Sequence, residues 1–340
     1  PAAAVHNLLA HDGTPPAELR RIGREQLARY PDVELREATV ADAHAPAEAG
    51  FRLELRGGDS VEARRLLLAT GLADELPAID GLAALWGRSA FHCPYCHGFE
   101  VSGRRLAVLG AGPERVRLAL HLTSFTDDLV LCTNGEPLPR DLAELLAANG
   151  VPVRGEPVTR FEGDGDRLER IVLRSGEPLD RDAVFIPTVL HQRSDLAGRL
   201  GCALLPDGCV EVDEFARTSV PGVYAAGDMA HRATLPSPIA AVSWASASGT
   251  LAGAMLDQDL IGTDLSSRCP DSCGNRPCPR WLATGRLGYL ANPSAPIRRP
   301  ALRHLLLRDG RQRQGQQRHQ EEPKRERARN HQGCQHQHPA

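Results

Sequence analysis

The sequence predicts a two-domain α/β fold, and three observations carry that prediction. Residues 105–132 run apolar strand, glycine-rich turn, helix, apolar strand, the pattern of a βαβ unit in a parallel sheet. Two further apolar runs end in Thr70-Gly71 and in Gly227-Asp228, where a strand can press its backbone against a ligand. The chain's 340 residues, 41% hydrophobic and 24% charged with a net charge of -3, are enough for one or two soluble domains and do not suggest a nucleic-acid partner.

Taken in order, Thr14-Pro15-Pro16-Ala17-Glu18-Leu19 with Ile22, Leu27 and Tyr30 predicts a helix to about Tyr30, capped by Thr14. Residues 33–35 and 38–40 read as short strands. Residues 51–55 alternate with period two and turn over Gly57-Gly58-Asp59 into 61–68, giving a β-meander whose last strand is apolar enough to be buried. After the strand at 105–109, Gly110-Ala111-Gly112-Pro113-Glu114-Arg115 opens a helix in the manner of a dinucleotide turn. Arg115 stands where that fingerprint has a small residue, so close packing of helix on sheet should suffer. Thr133-Asn134-Gly135 offers neither an Asp for a ribose nor an arginine cluster for a 2'-phosphate, and a degenerate nicotinamide site is as much expected as a working one.

Beyond Leu142 a helix is predicted to Asn149-Gly150, then a strand at 151–154, an antiparallel pair around 170–173 and an apolar strand at 183–186. No charge falls between Arg232 and Asp257, but Pro236, Pro238 and the serines dilute the run, which reads as a buried helix and not a membrane span. Gly249 and Gly253 within it suit close packing on a sheet.

The chemistry concentrates in Cys93-Pro94-Tyr95-Cys96-His97-Gly98-Phe99-Glu100. Cys-x-x-Cys spacing lets a disulfide open and close without moving the fold, and it lowers the pKa of the first thiol. A zinc knuckle would need a second ligand pair, and His92 and His97 lie too close to the cysteines to complete a tetrahedron. A structural disulfide would suit a secreted framework, whereas the chain shows no secretory segment and its cysteines are irregularly spaced. A redox dithiol in a cytoplasmic protein is the expected reading.

Three phrases together, C-P-Y-C-H-G-F-E at 93–100, A-T-G at 69–71 and T-S-V-P-G-V-Y-A-A-G-D at 218–228, resemble the thioredoxin reductase-like flavoproteins over roughly residues 1–262. His97 stands where the reductases carry an acidic residue, so the resemblance is nearer to the FAD-dependent dithiol oxidases of that family. It implies a Rossmann-like FAD domain in two pieces, 1–84 and 199–262, around an inserted NAD(P)-like domain, 85–198; residues 263–340, where the resemblance has stopped, read by composition as a disordered tail. It also implies that Cys96 lies against the flavin, that Cys93 faces the substrate and that His97 moves protons. Thr70, Gly71, Gly227 and Asp228 would contact FAD, and a helix starting near Pro238-Ile239 would aim its positive end at the flavin, with Ile239 beside it. Gly110 and Gly112 would serve NADPH, if it binds. His11-Asp12-Gly13 falls in a loop with no assigned role.

The family opens with a strand and a G-x-G-x-x-G turn that do not precede Pro1, so a missing βα unit and weakened FAD binding are expected of this chain. The arginine- and glutamine-rich stretch after Gly262 reads as solvated, and Cys269, Cys273, Cys278 and Cys334 show no familiar zinc spacing. The favoured reaction is oxidation of a small dithiol by FAD and oxygen. The alternatives are an NADPH-dependent reductase of thioredoxin or a small disulfide, and a non-catalytic remnant that binds or dimerises. A homodimer is expected.

Overall fold

A computed structural model describes residues 2–45 and 50–267. The first helix is Pro16–Leu27, with Pro15 and not Thr14 at its N-cap. Thr14 is drawn away because its carbonyl accepts the Val5 N–H at 2.8 Å, closing the loop that precedes the helix. Residues 33–35 form no strand. Pairing starts at Val40–His44, which runs antiparallel to Phe51–Leu55, and that strand in turn to Ser60–Ala63.

The predicted strand at 61–68 is broken at Arg64-Arg65. Ser60–Ala63 stays in the meander, while Leu66–Leu68 leaves it to pair in parallel with Val223–Ala225. The two arginines at the break are held by the long C-terminal helix: Arg65 Nε donates to Asp259 at 2.5 Å, and Arg64 Nη2 to Asp264 at 2.5 Å.

The chain then crosses through Leu72–Glu75 and returns through Val189–Gln192, and these two connecting strands pair antiparallel with each other. Between them lies a five-stranded parallel sheet in the order Ala90–Phe91, Ala183–Phe185, Leu106–Leu109, Leu129–Cys132, Val153–Arg154. Its central strands are buried on both faces, which is why they are wholly apolar. An antiparallel sheet of Val158–Asp164, Arg167–Leu173 and Leu179–Asp180 covers one side. Helices Pro113–Leu122 and Arg140–Ala148 bury Val116, Leu122 and Leu146 on the other.

Every residue of these two cores falls between Leu76 and Ile186. A third core, with Phe51, Leu66, Leu68, Val210, Val223 and Met229, draws only on the flanking segments. The sequence therefore folds as an α/β unit inserted into another, each with its own apolar interior.

The last described helix, Val242–Ser267, departs from expectation in three ways. It continues five residues past the predicted end of the fold at 262. Among its residues of described burial Ala252 is the one that is buried, and Leu251, Ile261 and Leu265 stay exposed. Nothing approaches the positions where Gly249 or Gly253 would carry a Cβ, so that pair serves no close packing. No helix among the described residues is long and apolar enough to cross a membrane. The predicted tail and its four cysteines lie outside the described residues, apart from the first few positions of that stretch.

Candidate functional site

Cys93 ends the extended segment after Ala90–Phe91 and is the N-cap of a single helical turn, Pro94–His97. Proline at the first helical position fits because its missing N–H would have no partner there. The turn closes by His97 N–H to the Cys93 carbonyl at 3.3 Å and Gly98 N–H to the Pro94 carbonyl at 2.7 Å. Gly98 is required by crowding: a Cβ there would lie 2.5 Å from the Pro94 oxygen and 3.0 Å from the Phe125 ring.

Cys93 and Cys96 are both half-buried free thiols, and the turn makes them unequal. A hydrogen bond from the Cys96 thiol lowers the Cys93 pKa to about 7; burial opposes this, and the backbone N–H groups of Cys96 and Tyr95 assist it. Cys96 is pushed upward, first by holding its proton toward Cys93, then by burial and by the charges of Cys93, Asp228 and Glu100. The first proton to leave near neutral pH therefore comes from Cys93.

His97 lies stacked on Phe91, ring centroids 4.3 Å apart, with Nδ1 buried and without a partner. Burial chiefly lowers its pKa, so at neutral pH the ring is a base. His92 stacks on Trp86 at 5.5 Å and is likewise lowered by burial.

The loop that sequence reasoning left without a role reaches this turn. His6 Nε2 contacts Glu100 Oε1 at 2.5 Å, and its Nδ1 lies 3.3 Å from Asp12 Oδ1. Asn7 donates from its side chain to the Tyr95 carbonyl at 2.8 Å and from its backbone N–H to Asp12 at 3.0 Å. Nothing in the sequence links His6 to Glu100, because no local pattern spans their separation.

Parallel pairing of Leu66–Leu68 with Val223–Ala225 brings Thr70-Gly71 and Gly227-Asp228 out at the same end. Thr70 turns its N–H and hydroxyl to the Met229 sulfur at 3.2 and 3.3 Å. Gly71 has φ +71° and open space where a side chain would be. Gly227, at φ +77°, donates its N–H to Ser248 Oγ at 3.0 Å, a partner that the sequence did not suggest.

Asp228 Oδ1 is buried and unpartnered, and burial with the nearby Asp74 holds its carboxyl above the ordinary range. Asp228 lines an open cleft of about 380 Å³ with Ala240, Ala241, Val242, Ala245 and Ser246, where the helix Val242–Ser267 begins. Ile239 precedes that helix and does not line the cleft. An orphaned carboxylate oxygen, an open glycine and a helix N-terminus form a donor and acceptor set that fits the hydroxyl and phosphate groups of FAD.

The other glycines behave differently. Arg115 does not prevent helix packing, since Val116, Ala119 and Leu122 are buried; its stem runs back over Gly110 instead. The Glu114 carboxylate lies against Gly112. Elsewhere, Asp207, Cys209 and His231 bring oxygen, sulfur and nitrogen within 4.8 Å of one another, but a 2.7 Å hydrogen bond already joins His231 Nε2 to Asp207.

Residues 8–249 match the family model described as pyridine nucleotide-disulphide oxidoreductase. Among curated proteins, "Thioredoxin reductase tcpT" of Claviceps purpurea is 32% identical over 269 residues, covering 76% of this chain and 83% of that protein. Among solved structures, HlmI superposes with a TM-score of 0.72 at 36% identity, covering 78% of this chain and 82% of the other. An oxidoreductase from Agrobacterium tumefaciens gives 0.69 at 34% identity, covering 76% and 85%.

Proposed function

The chain belongs to the pyridine nucleotide-disulphide oxidoreductase family, as an FAD-dependent disulfide oxidoreductase of thioredoxin reductase-like kind, and from that premise we propose that it oxidises a small dithiol to a disulfide. One observation carries the direction. At the end of Leu129–Cys132, where a dinucleotide ribose would be read, Asn134 spends its side-chain oxygen on the Val158 N–H at 2.8 Å, and neighbouring Arg154 is paired with Glu156 at 2.8 Å. Both groups already have a partner within the chain, which supports electrons entering from a thiol instead of NADPH.

In the oxidised enzyme a substrate thiolate attacks Cys93 Sγ, and the Cys93–Cys96 bond breaks with the electron pair going to Cys96. The second substrate thiolate then attacks its own sulfur in the mixed disulfide, closing the product and releasing Cys93. Cys96, whose raised pKa favours holding a proton, takes one up and donates a hydrogen bond to Cys93, and in that state Cys93, with a pKa of about 7, is a ready leaving group. His97, kept neutral by burial and next to Cys96 in sequence, would take the proton of the incoming substrate thiol and pass it on to the Cys96 thiolate. FAD, when bound, supplies the two-electron acceptor that restores the disulfide and delivers the electrons to oxygen as peroxide. Asp228 would hold its sugar hydroxyls, and Thr70, Gly71 and Gly227 would line it.

A second reading, reduction of a thioredoxin-like protein, draws on the relative's name and on Tyr95 and Phe99, which are 74% and 87% exposed beside the dithiol. Anaerobic flavin bleaching separates the two. Dithiothreitol alone should bleach the flavin, peroxide should form when air enters, and Cys93→Ser should stop both. Rapid bleaching by NADPH with none by the dithiol would overturn the oxidase reading. Sedimentation of the same sample tests the proposed homodimer.

A further inference from the structure

The turn Gly110-Ala111-Gly112 has the backbone of a dinucleotide cradle: Gly110 takes φ +112°, and Gly112 caps the helix Pro113–Leu122. In a working cradle the first glycine gives the tight turn and the second lets pyrophosphate reach the backbone. The pyrophosphate then sits at the positive end of the helix.

Here both glycines are covered by side chains of the same chain. A Cβ on Gly110 would meet Arg115 Cγ at 2.9 Å and Cδ at 3.2 Å, so the arginine stem already fills the space that the glycine leaves. A Cβ on Gly112 would fall on the Glu114 carboxylate oxygens, which puts a negative charge where a phosphate must come. Beyond the stem, Arg115 Nε and Nη1 are buried without a hydrogen-bond partner, so the side chain is folded inward instead of reaching for solvent.

We propose that Glu114 and Arg115 close this cradle against pyridine dinucleotides, the stem by occupying it and the carboxylate by repelling phosphate. The inserted unit then serves to carry the dithiol and leaves the electron supply to the substrate. This inference rests on the oxidase reading above, but it concerns binding and is tested without flavin or turnover.

NADPH is titrated into the full chain, following nicotinamide fluorescence and binding heat. The wild-type chain should give weak binding or none, and Glu114→Ala/Arg115→Ala should bind at least about ten-fold more tightly. Glu114→Gln, which removes charge and keeps shape, should give part of the gain. Arg115→Leu, which keeps the bulk of the stem, should give none. Thermal melts identify any variant that fails to fold, and in that event Glu114→Gln alone decides the question.

Tight binding by the wild-type chain that the double variant loses would make Arg115 a phosphate ligand and overturn the proposal. Equal affinity in the two would overturn it as well. A wild-type chain that binds NADPH but is bleached only by the dithiol would remove this inference and leave the oxidase standing.

Discussion

Cys93 and Cys96 are three positions apart and chemically alike until the turn places one sulfur in front of two backbone N–H groups and a thiol proton. The lowered thiol is favoured as thiolate above its ordinary pKa of 9.0, and that advantage is lost as pH falls through about 7. The iodoacetamide alkylation rate of Cys93 should therefore inflect near pH 7. In Cys96→Ser the inflection moves if the thiol is the main donor; an unchanged midpoint would assign the shift to the backbone N–H groups alone. The spacing made the dithiol legible in the sequence, but the inequality of the sulfurs follows from which of them ends up as N-cap.

Elements matter here through how they meet. The dithiol turn abuts the helix Pro113–Leu122 and its continuation at Phe125, with no room at Gly98 for a methyl group. Gly98→Ala should cost about 1–3 kcal/mol through overpacking, read as a lowered melting temperature. Gly98→Ala/Phe125→Leu should recover part of it, and equal melting of wild type and Gly98→Ala would refute the packing account.

On its other side the turn is tied to the loop at 5–14 by His6. Burial, the largest single influence, lowers the His6 pKa, but Glu100 and Asp12 together outweigh it and the net shift is upward from 6.5. A raised histidine stabilises the contact fully below 6.5, and the benefit fades as pH rises through the raised value. Hydrogen-exchange protection of residues 5–14 should thus decline on going from pH 6 to pH 8, while His6→Ala should show the low-protection pattern at both. A pH-independent pattern in the wild type would count against the histidine's role.

At the scale of the whole molecule, the separate cores imply separate cooperativity. Residues 76–188 contain two complete apolar clusters, and the chain enters and leaves them through adjacent paired strands. That segment expressed alone should unfold in a single sharp transition, and a broad one without near-ultraviolet signal would show that it needs the flanking unit. The sequence by itself determined the βαβ unit, the dithiol and the two glycine-bearing strand ends, because each is a local pattern of period or spacing. Only the tertiary structure decided that Leu66–Leu68 leaves the meander for Val223–Ala225, that His6 reaches Glu100, and that Arg115 folds back over Gly110. Each of those depends on partners or rotamers selected by packing between distant residues, an energy that no short window of sequence contains.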